Sequence, residues 1–158
     1  MAAADDATAG SGVRVPPPVF YLTALAVGVA LDYLWPLSLI GGASRYVVGT
    51  FLVAVSVAIM PSVLWRFRRA GTPFDVRKSA SALVTDGPYR FSRNPAYLSL
   101  TLVYLGIGIL LDSGWVLILV VPVLVVMDRW VVASEERHLE AKFGEQYSRY
   151  RSSVRRWL

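Results

Sequence analysis

The most informative part of the sequence is AYLSLTLVYLGIGILLDSGWVLILVVPVLVVMDRWVVA, residues 96–133. Two long apolar runs flank Asp112-Ser113-Gly114, a group of residues that favours tight turns. Each run is close to the length that a helix needs to cross a hydrocarbon core of about 30 Å. The stretch therefore predicts a helical hairpin through a membrane, in which the start of the first helix and the end of the second lie side by side.

Two further apolar blocks, residues 19–35 and 46–65, precede this hairpin. Of all 158 residues, 55% are hydrophobic and 17% are charged, which is too apolar for a soluble domain of this length. We therefore predict an all-α integral membrane protein with four transmembrane helices in a single domain, residues 1–158. The segments expected around these helices are a flexible N-terminal tail (1–17), a cytoplasmic loop (66–95) and a C-terminal amphipathic helix at the membrane interface (134–158).

Basic residues indicate which side of the membrane each connection occupies. With four crossings, fifteen of the sixteen Lys and Arg residues fall on one side and Arg45 falls on the other. Lys and Arg near membrane segments are retained on the cytoplasmic side, so both termini are predicted to be cytoplasmic. The formal net charge of +5 borders the membrane segments, so the expected neighbours are anionic lipid headgroups rather than nucleic acid. The compact length suggests a prokaryotic cell membrane.

Several kinds of catalytic centre are disfavoured by the composition. The chain contains no cysteine and one histidine, His138. A thiolate metal site and a cysteine nucleophile are therefore excluded, and an all-protein zinc site or a Ser-His-Asp triad is disfavoured. No metal is expected.

Polar and charged residues meet where the hairpin begins and ends. Asn94-Pro95 is typical of a helix start, with Asn94 as the N-cap that accepts a backbone N–H and Pro95 as the first helical residue. Such a helix end attracts a carboxylate or phosphate, whereas the adjacent acids Glu135 and Glu136 suit a cation. A ligand that bears both charges, such as an amino acid moiety, would satisfy both.

Apolar residues recur at intervals of three or four in the C-terminal part of the chain. This spacing predicts one helix with an apolar face and a largely basic opposite face, lying in the cytoplasmic interface. The apolar positions are Leu139, Phe143, Tyr147, Tyr150, Val154 and Trp157.

Two motifs on either side of the hairpin are shared with a known family. LVTDGPYRFSRNPAYL (residues 83–98) and EERHLEAKFGEQYSRYRSSVRRWL (residues 135–158) resemble, in this order and spacing, the isoprenylcysteine carboxyl methyltransferase and phospholipid methyltransferase superfamily. The resemblance covers roughly residues 66–158. It implies a membrane methyltransferase that uses S-adenosylmethionine and releases S-adenosylhomocysteine. The implied acceptor is amphiphilic and membrane-embedded, the amine, carboxylate or thiol of a lipid or prenylated molecule.

The resemblance also implies roles for individual residues. In the family, the loop before the hairpin and the C-terminal segment enclose the cofactor on the cytoplasmic side, and the methyl group faces a cleft open to lipid. Glu135, Glu136 and Arg93 are the candidate catalytic residues. The candidate cofactor-binding residues are Val84, Thr85, Gly87, Tyr89, Asn94, Tyr97, Glu135, Glu136, Tyr147 and Arg151.

Two positions depart from the pattern of the carboxyl methyltransferases. Asn94 stands where they usually have His, so an amide or backbone N–H groups would replace an imidazole contact to the cofactor carboxylate. Val131 stands where the eukaryotic enzymes have an Arg one turn before the paired acids, so a prenylcysteine carboxylate would lose its cationic clamp. An amine acceptor must lose a proton, which Glu135 or Glu136 would accept. These features favour an amine or another lipid-like nucleophile.

Two other functions fit parts of the pattern. A nicotinamide-dependent membrane reductase would share a related helical architecture, and competition between cofactors would separate it from a methyltransferase. A non-catalytic basic scaffold that binds anionic lipid would depend on the basic residues within 149–156 and would tolerate substitution of Glu135 or Asn94.

Overall fold

The computed structural model describes residues 15–73 and 80–158, which form helices and short connections without a strand. The predicted tail (1–17) and loop (66–95) therefore lie partly outside the described residues. The helices are α1 (Pro17–Leu34), α2 (Ser44–Arg69), a 3₁₀ turn (Gly87–Arg90), α3 (Pro95–Leu111), α4 (Gly114–Val126), a π-helical segment (Met127–Val132), α5 (Ala133–Phe143) and α6 (Glu145–Ser153).

Three helices are long and apolar enough to cross a membrane, by length and composition: α1, α2 and the continuous helix Gly114–Phe143. Helix α3 is also apolar, but its 17 residues span about 25 Å at 1.5 Å per residue, slightly less than a hydrocarbon core of about 30 Å. The predicted all-helical architecture is confirmed for the described residues. The fourth crossing stays a prediction, because it depends on the shorter α3.

The first helix starts inside the segment that was predicted as a flexible tail. Pro17 and Pro18 occupy the first turn of α1, where a missing N–H removes no helical hydrogen bond and the fixed φ already suits the helix. The chain thus enters the bundle directly after Pro16.

Helix α3 contacts α1, α2 and α4, and its longest contact is with α2. Glycines allow this contact to be close, since a Cβ on Gly106 would lie 2.9 Å from the main-chain oxygen of Gly49. One turn or more towards the start of α3, the Ser56 hydroxyl donates to the Ser99 main-chain oxygen at 2.9 Å. The hydroxyl group is therefore satisfied inside an apolar bundle, where an unpaired one would be costly.

Buried tyrosines connect α3 to its other neighbours. The Tyr21 hydroxyl of α1 lies 2.9 Å from Thr101 Oγ1 of α3, and the Tyr104 hydroxyl of α3 donates to the Val116 main-chain oxygen of α4 at 2.8 Å. These bonds fix the three helices along their length, so that the start of α3 keeps a defined position beside the helix that continues from α4.

The predicted turn at Asp112-Ser113-Gly114 is confirmed. Asp112 has a left-handed backbone (φ 55°), Ser113 is the N-cap of α4, and the Gly114 N–H donates to the Leu37 main-chain oxygen at 2.6 Å. The two helices run antiparallel from this turn, so residues near 95 and residues near 135 meet at the opposite end of the bundle.

The C-terminal region differs from the single helix predicted for residues 134–158. The helix from α4 continues through the π-helical segment and ends at Phe143, and Gly144 (φ 51°) separates it from α6. Glycine adopts such positive φ values at little cost. Helix α6 ends at Ser153, and Val154 is extended (φ −126°, ψ 134°). The predicted apolar face is therefore divided among two helices and a non-helical segment.

Candidate active site

A cavity of about 420 Å³ lies at the end of the bundle opposite the Asp112 turn. It is formed by the starts of α1, α3 and α5, the end of α2, the loop before the 3₁₀ turn, and α6. Its apolar residues are Pro16, Pro17, Pro18, Met60, Phe67, Pro73, Ala80, Ala82, Leu83, Val84, Ala96, Leu100 and Leu139. Its polar and aromatic residues are Tyr89, Arg93, Asn94, Tyr97, Glu135, Glu136, His138, Tyr147 and Tyr150.

Most of the residues predicted for the site line this cavity. They are Val84, Tyr89, Arg93, Asn94, Tyr97, Glu135, Glu136 and Tyr147. The remaining three, Thr85, Gly87 and Arg151, are not part of its lining.

The two adjacent acids have different surroundings. Glu135 is partly exposed, and its Oε1 accepts a hydrogen bond from the Tyr97 hydroxyl. Glu136 is 6% exposed and is bonded to two guanidinium groups, with Arg93 Nη2 at 3.0 Å and Arg156 Nη2 at 2.5 Å. Both acids were predicted from the sequence to be available to a cation, but the charge of Glu136 is already balanced by arginines. Glu135 is the member of the pair that a ligand cation would meet.

Arg93 has a buried donor beside the cavity. Its side chain is 10% exposed, and within the described residues its Nε–H has no hydrogen-bond partner. The other end of the guanidinium is held by Glu136 and, at 3.4 Å, by the main-chain oxygen of Arg151. A buried donor without a partner is costly in a finished structure, so this N–H is suited to a ligand oxygen.

Asn94 does not act as the predicted side-chain cap of α3. No hydrogen bond from the α3 backbone reaches its side chain, and its Nδ2 instead donates to the main-chain oxygen of Arg156 at 2.9 Å. The predicted capping role was wrong because the Asn94 side chain bonds to a main-chain oxygen 62 residues away, which local sequence does not reveal. Asn94 therefore connects the start of α3 to the segment that follows α6.

Glycine is required at position 87 for a structural reason that does not involve the cavity. Its φ is 59°, and a Cβ at this position would lie 1.6 Å from Arg66 Nε. The Arg66 guanidinium also lies 3.7 Å from the Asp86 carboxylate. Gly87 thus permits the loop to pass directly over Arg66, which places the neighbouring Tyr89 in the cavity wall.

Two tyrosines of α6 close one side of the cavity. Tyr147 is 1% exposed, and burial raises its pKa to about 12, so its hydroxyl stays neutral. The Tyr150 hydroxyl donates to the Tyr89 main-chain oxygen at 2.7 Å and so joins α6 to the 3₁₀ turn. Arg151 lies on the outer side, where its side chain pairs with Glu140 at 3.0 Å.

Much of the chain is similar in sequence to a known protein family. The sequence profile of the phospholipid methyltransferase family matches residues 44–146, well over half of the chain. The chain belongs to the phospholipid methyltransferase family. It is also 40% identical over 62 residues to an uncharacterized protein of Haemophilus influenzae, a match that covers 39% of this chain and 98% of that protein. No solved structure matches it.

Membership of the phospholipid methyltransferase family implies a membrane methyltransferase. The matched residues include Arg93, Tyr97, Glu135 and Glu136. Within the described residues, three helices that are long and apolar enough to cross a membrane agree with an integral membrane protein. Most residues that line the cavity therefore lie within the matched part of the chain, and Pro16, Pro17, Pro18, Tyr147 and Tyr150 lie outside it.

The position that the carboxyl methyltransferases fill with Arg is apolar in this family member. Val131 is 1% exposed and packs in the main core cluster. The nearby Arg129 does not replace that Arg, because its side chain is 80% exposed and lies 3.9 Å from Asp128. A cationic clamp for an acceptor carboxylate is therefore not provided by either residue.

Sequence analysis missed several residues of the site. The prolines at the start of α1 and Met60 of α2 belong to segments that carry no recognisable motif, so their place in the site could not be predicted. Tyr150 could have been found, since it shares the three-residue spacing with Tyr147 in the closing motif. Arg156, which binds Glu136, had no signal beyond its charge.

Proposed function

We propose that this member of the phospholipid methyltransferase family transfers a methyl group from S-adenosylmethionine to an amphiphilic acceptor that reaches the cavity from the bilayer. The observation that carries the proposal is that a largely apolar cavity is lined both by a partly exposed carboxylate (Glu135) and by Arg93, whose buried Nε–H has no partner within the described residues. An amino acid moiety bears the two complementary charges. The apolar remainder suits a lipid-like molecule.

The residues of the cavity fit the amino acid portion of this cofactor. The Arg93 Nε–H and the start of α3 at Asn94 would bind its carboxylate, as helix N-termini bind anions. Glu135 would pair with its ammonium group. Val84, Tyr89 and Tyr147 would enclose the rest, whereas Thr85, Gly87 and Arg151 would act through the loop and α6.

The chemistry asks for little beyond alignment. When bound, S-adenosylmethionine supplies a methyl group already activated on a sulfonium, so the protein mainly holds donor and acceptor in line and excludes water. The apolar wall and the buried tyrosines of α6 serve to exclude water. Neither the alignment of donor and acceptor nor the exclusion of water requires a metal.

The charges of the cavity favour an amine or another lipid-like nucleophile over a carboxylate as the acceptor. An amine must lose a proton on methylation, and within the described residues the Glu135 carboxylate is not held by arginines. One of its oxygens would bind the cofactor ammonium, and the other would accept the acceptor proton. Its hydrogen bond from Tyr97 orients the carboxylate. A carboxylate acceptor would face Glu135 without the cationic clamp that Val131 replaces.

We further propose that α3 crosses the membrane with α4, which gives four crossings in a single domain with both termini and the cavity on the cytoplasmic side. The turn at Asp112 supports this, because an apolar α4 that crosses must be joined by an equally apolar α3 at the same depth. Basic residues near the cavity end would contact anionic headgroups. A prokaryotic cell membrane is the proposed location.

The proposal is tested by calorimetric binding to the detergent-purified protein. S-adenosylmethionine and S-adenosylhomocysteine should bind saturably, and Glu135→Gln should weaken both by about tenfold or more, as expected for a charged hydrogen-bonding partner. Glu145→Gln is the matched control, because Glu145 is 82% exposed and pairs only at the surface with Arg149. NADPH should not bind.

A folded protein that binds neither sulfur nucleotide would overturn the proposal. Saturable NADPH binding would point to a reductase instead. Binding of anionic lipid alone, unaffected by Glu135→Gln, would point to a scaffold.

A further inference from the structure

The segment that follows α6, residues 154–157, runs back to the start of α3. We call it the return segment. The Arg93 N–H donates to the Arg155 main-chain oxygen at 3.0 Å, and Asn94 Nδ2 and Ser92 Oγ donate to the Arg156 main-chain oxygen at 2.9 and 3.2 Å. Two of these three donors belong to residues that line the cavity. The return segment is therefore bonded directly to the cavity wall.

All three guanidinium nitrogens of Arg156, in this segment, donate hydrogen bonds. Its Nη2 and Nε donate to Glu136 at 2.5 and 3.3 Å, and its Nη1 donates to both oxygens of Asp128 at 3.2 and 3.3 Å. Only the planar fork of Arg can make paired contacts of this kind, since Lys presents a single point charge.

Of the two acids bound by Arg156, Asp128 lies in the first turn of the π-helical segment Met127–Val132, and Glu136 lies in α5, which follows it. The two acids, Arg93 and Arg156 form a charged cluster, and the exposed Arg129 lies 3.9 Å from Asp128 at its edge. Loss of Arg156 would remove the 2.5 Å partner of Glu136, which is 6% exposed and would keep Arg93 at 3.0 Å. Asp128 would be left with the exposed Arg129. Removing one partner from a buried charge pair is strongly unfavourable.

Trp157 fixes the position of Arg156 from the other side. Its indole N–H donates to Asp128 Oδ1 at 2.9 Å, and its ring packs against the main core cluster. Arg156 is thus held between an anchored tryptophan and two carboxylates.

We propose that Arg156 is a positioning residue of the active site, which holds Glu136 so that Arg93 keeps its unpartnered N–H beside the cavity and Glu135 remains the carboxylate that meets the ligand cation. This inference rests on the proposed function for its consequence in catalysis, although the positioning itself concerns the protein alone. Without Arg156, the Glu136 carboxylate draws Arg93 towards itself or competes for the ligand cation. Both effects weaken cofactor binding more than they slow the methyl-transfer step.

The first test measures hydrogen exchange of the full chain in detergent, without any cofactor. Arg156→Gln should lose protection in peptides that cover residues 92–97 and 133–137, and Arg156→Lys should lose less. Amide hydrogens should exchange alike in Glu136→Gln and in the double variant Arg156→Gln/Glu136→Gln, because Arg156 acts through Glu136. Arg149→Gln, an exposed arginine of α6, should match the unmodified protein.

The second test measures steady-state methyl transfer. Arg156→Gln should raise KM for S-adenosylmethionine by about tenfold or more with a smaller change in kcat, and Arg156→Lys should recover part of this loss.

The inference is overturned if Arg156→Gln exchanges like Arg149→Gln, or if its effect on exchange is the same with and without Glu136. A lower melting temperature with unchanged KM would likewise reduce Arg156 to a structural anchor and overturn it. If the unmodified protein neither binds S-adenosylhomocysteine nor transfers methyl groups, the proposed function fails, and the exchange measurement alone decides the role of Arg156.

Discussion

Two carboxylates at opposite ends of the α3–α4 hairpin differ in what surrounds them. Asp112, in the turn, accepts the backbone N–H groups of Leu39, Ile40 and Gly41 at 3.2, 2.9 and 3.2 Å. Its second oxygen accepts the Ser38 hydroxyl and lies 3.4 Å from a guanidinium nitrogen. The acceptor capacity of this carboxylate is used by its own chain.

Glu135, at the other end, accepts a hydrogen bond from Tyr97 and lines a cavity of about 420 Å³. The neighbouring Glu136 resembles Asp112, since its oxygens are bonded to arginines. The comparison teaches that acidity alone does not mark a functional residue. A carboxylate saturated by its own chain stabilises the fold, and one that keeps free acceptors beside a cavity is available to a ligand.

The largest effect is expected at Glu135. Glu135→Gln should lower methyl transfer by about 100-fold or more, the usual scale for loss of a group that accepts a proton, while the melting temperature stays close to that of the unmodified protein. The measurement follows labelled methyl groups from S-adenosylmethionine into lipid extracts that contain amine headgroups. Retained activity in Glu135→Gln would remove the distinction between the two ends.

A smaller effect on activity is expected from the partner of Glu135. Tyr97→Phe removes the hydroxyl that orients this carboxylate and should reduce kcat/KM by about tenfold, as for a hydrogen bond to a charged group. Tyr104→Phe is the control, because Tyr104 is also buried on α3 but donates to a main-chain oxygen of α4. It should lower the melting temperature and leave kcat/KM unchanged. Equal losses of activity in both variants would contradict the special role of Tyr97.

At the turn, the pattern should reverse. Asp112→Ala removes the acceptor for the amides of residues 39–41 and should lower the melting temperature in detergent, with little change in methyl transfer measured well below that temperature. Ser44→Ala at the start of α2 serves as a neighbouring substitution outside the Asp112 contacts. A loss of activity without loss of stability in Asp112→Ala would show that the turn communicates with the cavity.

Local sequence signals predicted the elements that depend on local interactions. The apolar block 96–111 corresponds to α3 (Pro95–Leu111), and Asp112-Ser113-Gly114 forms the turn, because turn formation and helix length depend on neighbouring residues. This turn also explains why the start of α3 and the acids near 135 were correctly expected to meet.

Long-range contacts could not be predicted in the same way. Val154 and Trp157 continue a helical spacing, yet the return segment is not helical, because its main-chain oxygens bind residues 92–94, about sixty positions earlier. The same contacts took the Asn94 side chain away from its predicted capping role. The pairing of Glu136 with Arg156, twenty residues apart, distinguished the two acids, and no local pattern announces it.

The smallest effect, and the one that sharpens the comparison furthest, is the response of the turn to acid. The pKa of Asp112 is held well below its usual 3.8 by the Ser38 hydroxyl and by the backbone amides of residues 39–41, which donate to the ionised form. A lowered pKa in the folded state contributes stability that is present above the unfolded value and is lost as the pH falls through the folded one. The difference in melting temperature between the unmodified protein and Asp112→Ala should therefore stay constant from pH 7 to about 5 and shrink below the unfolded value of 3.8. Thermal melts of both proteins in one detergent across this range measure the difference directly, and the subtraction cancels the other acids. A difference that grows as the pH falls would mean that the carboxylate of the turn is not the group its own chain stabilises, and the contrast with Glu135 would then have to rest on the cavity alone.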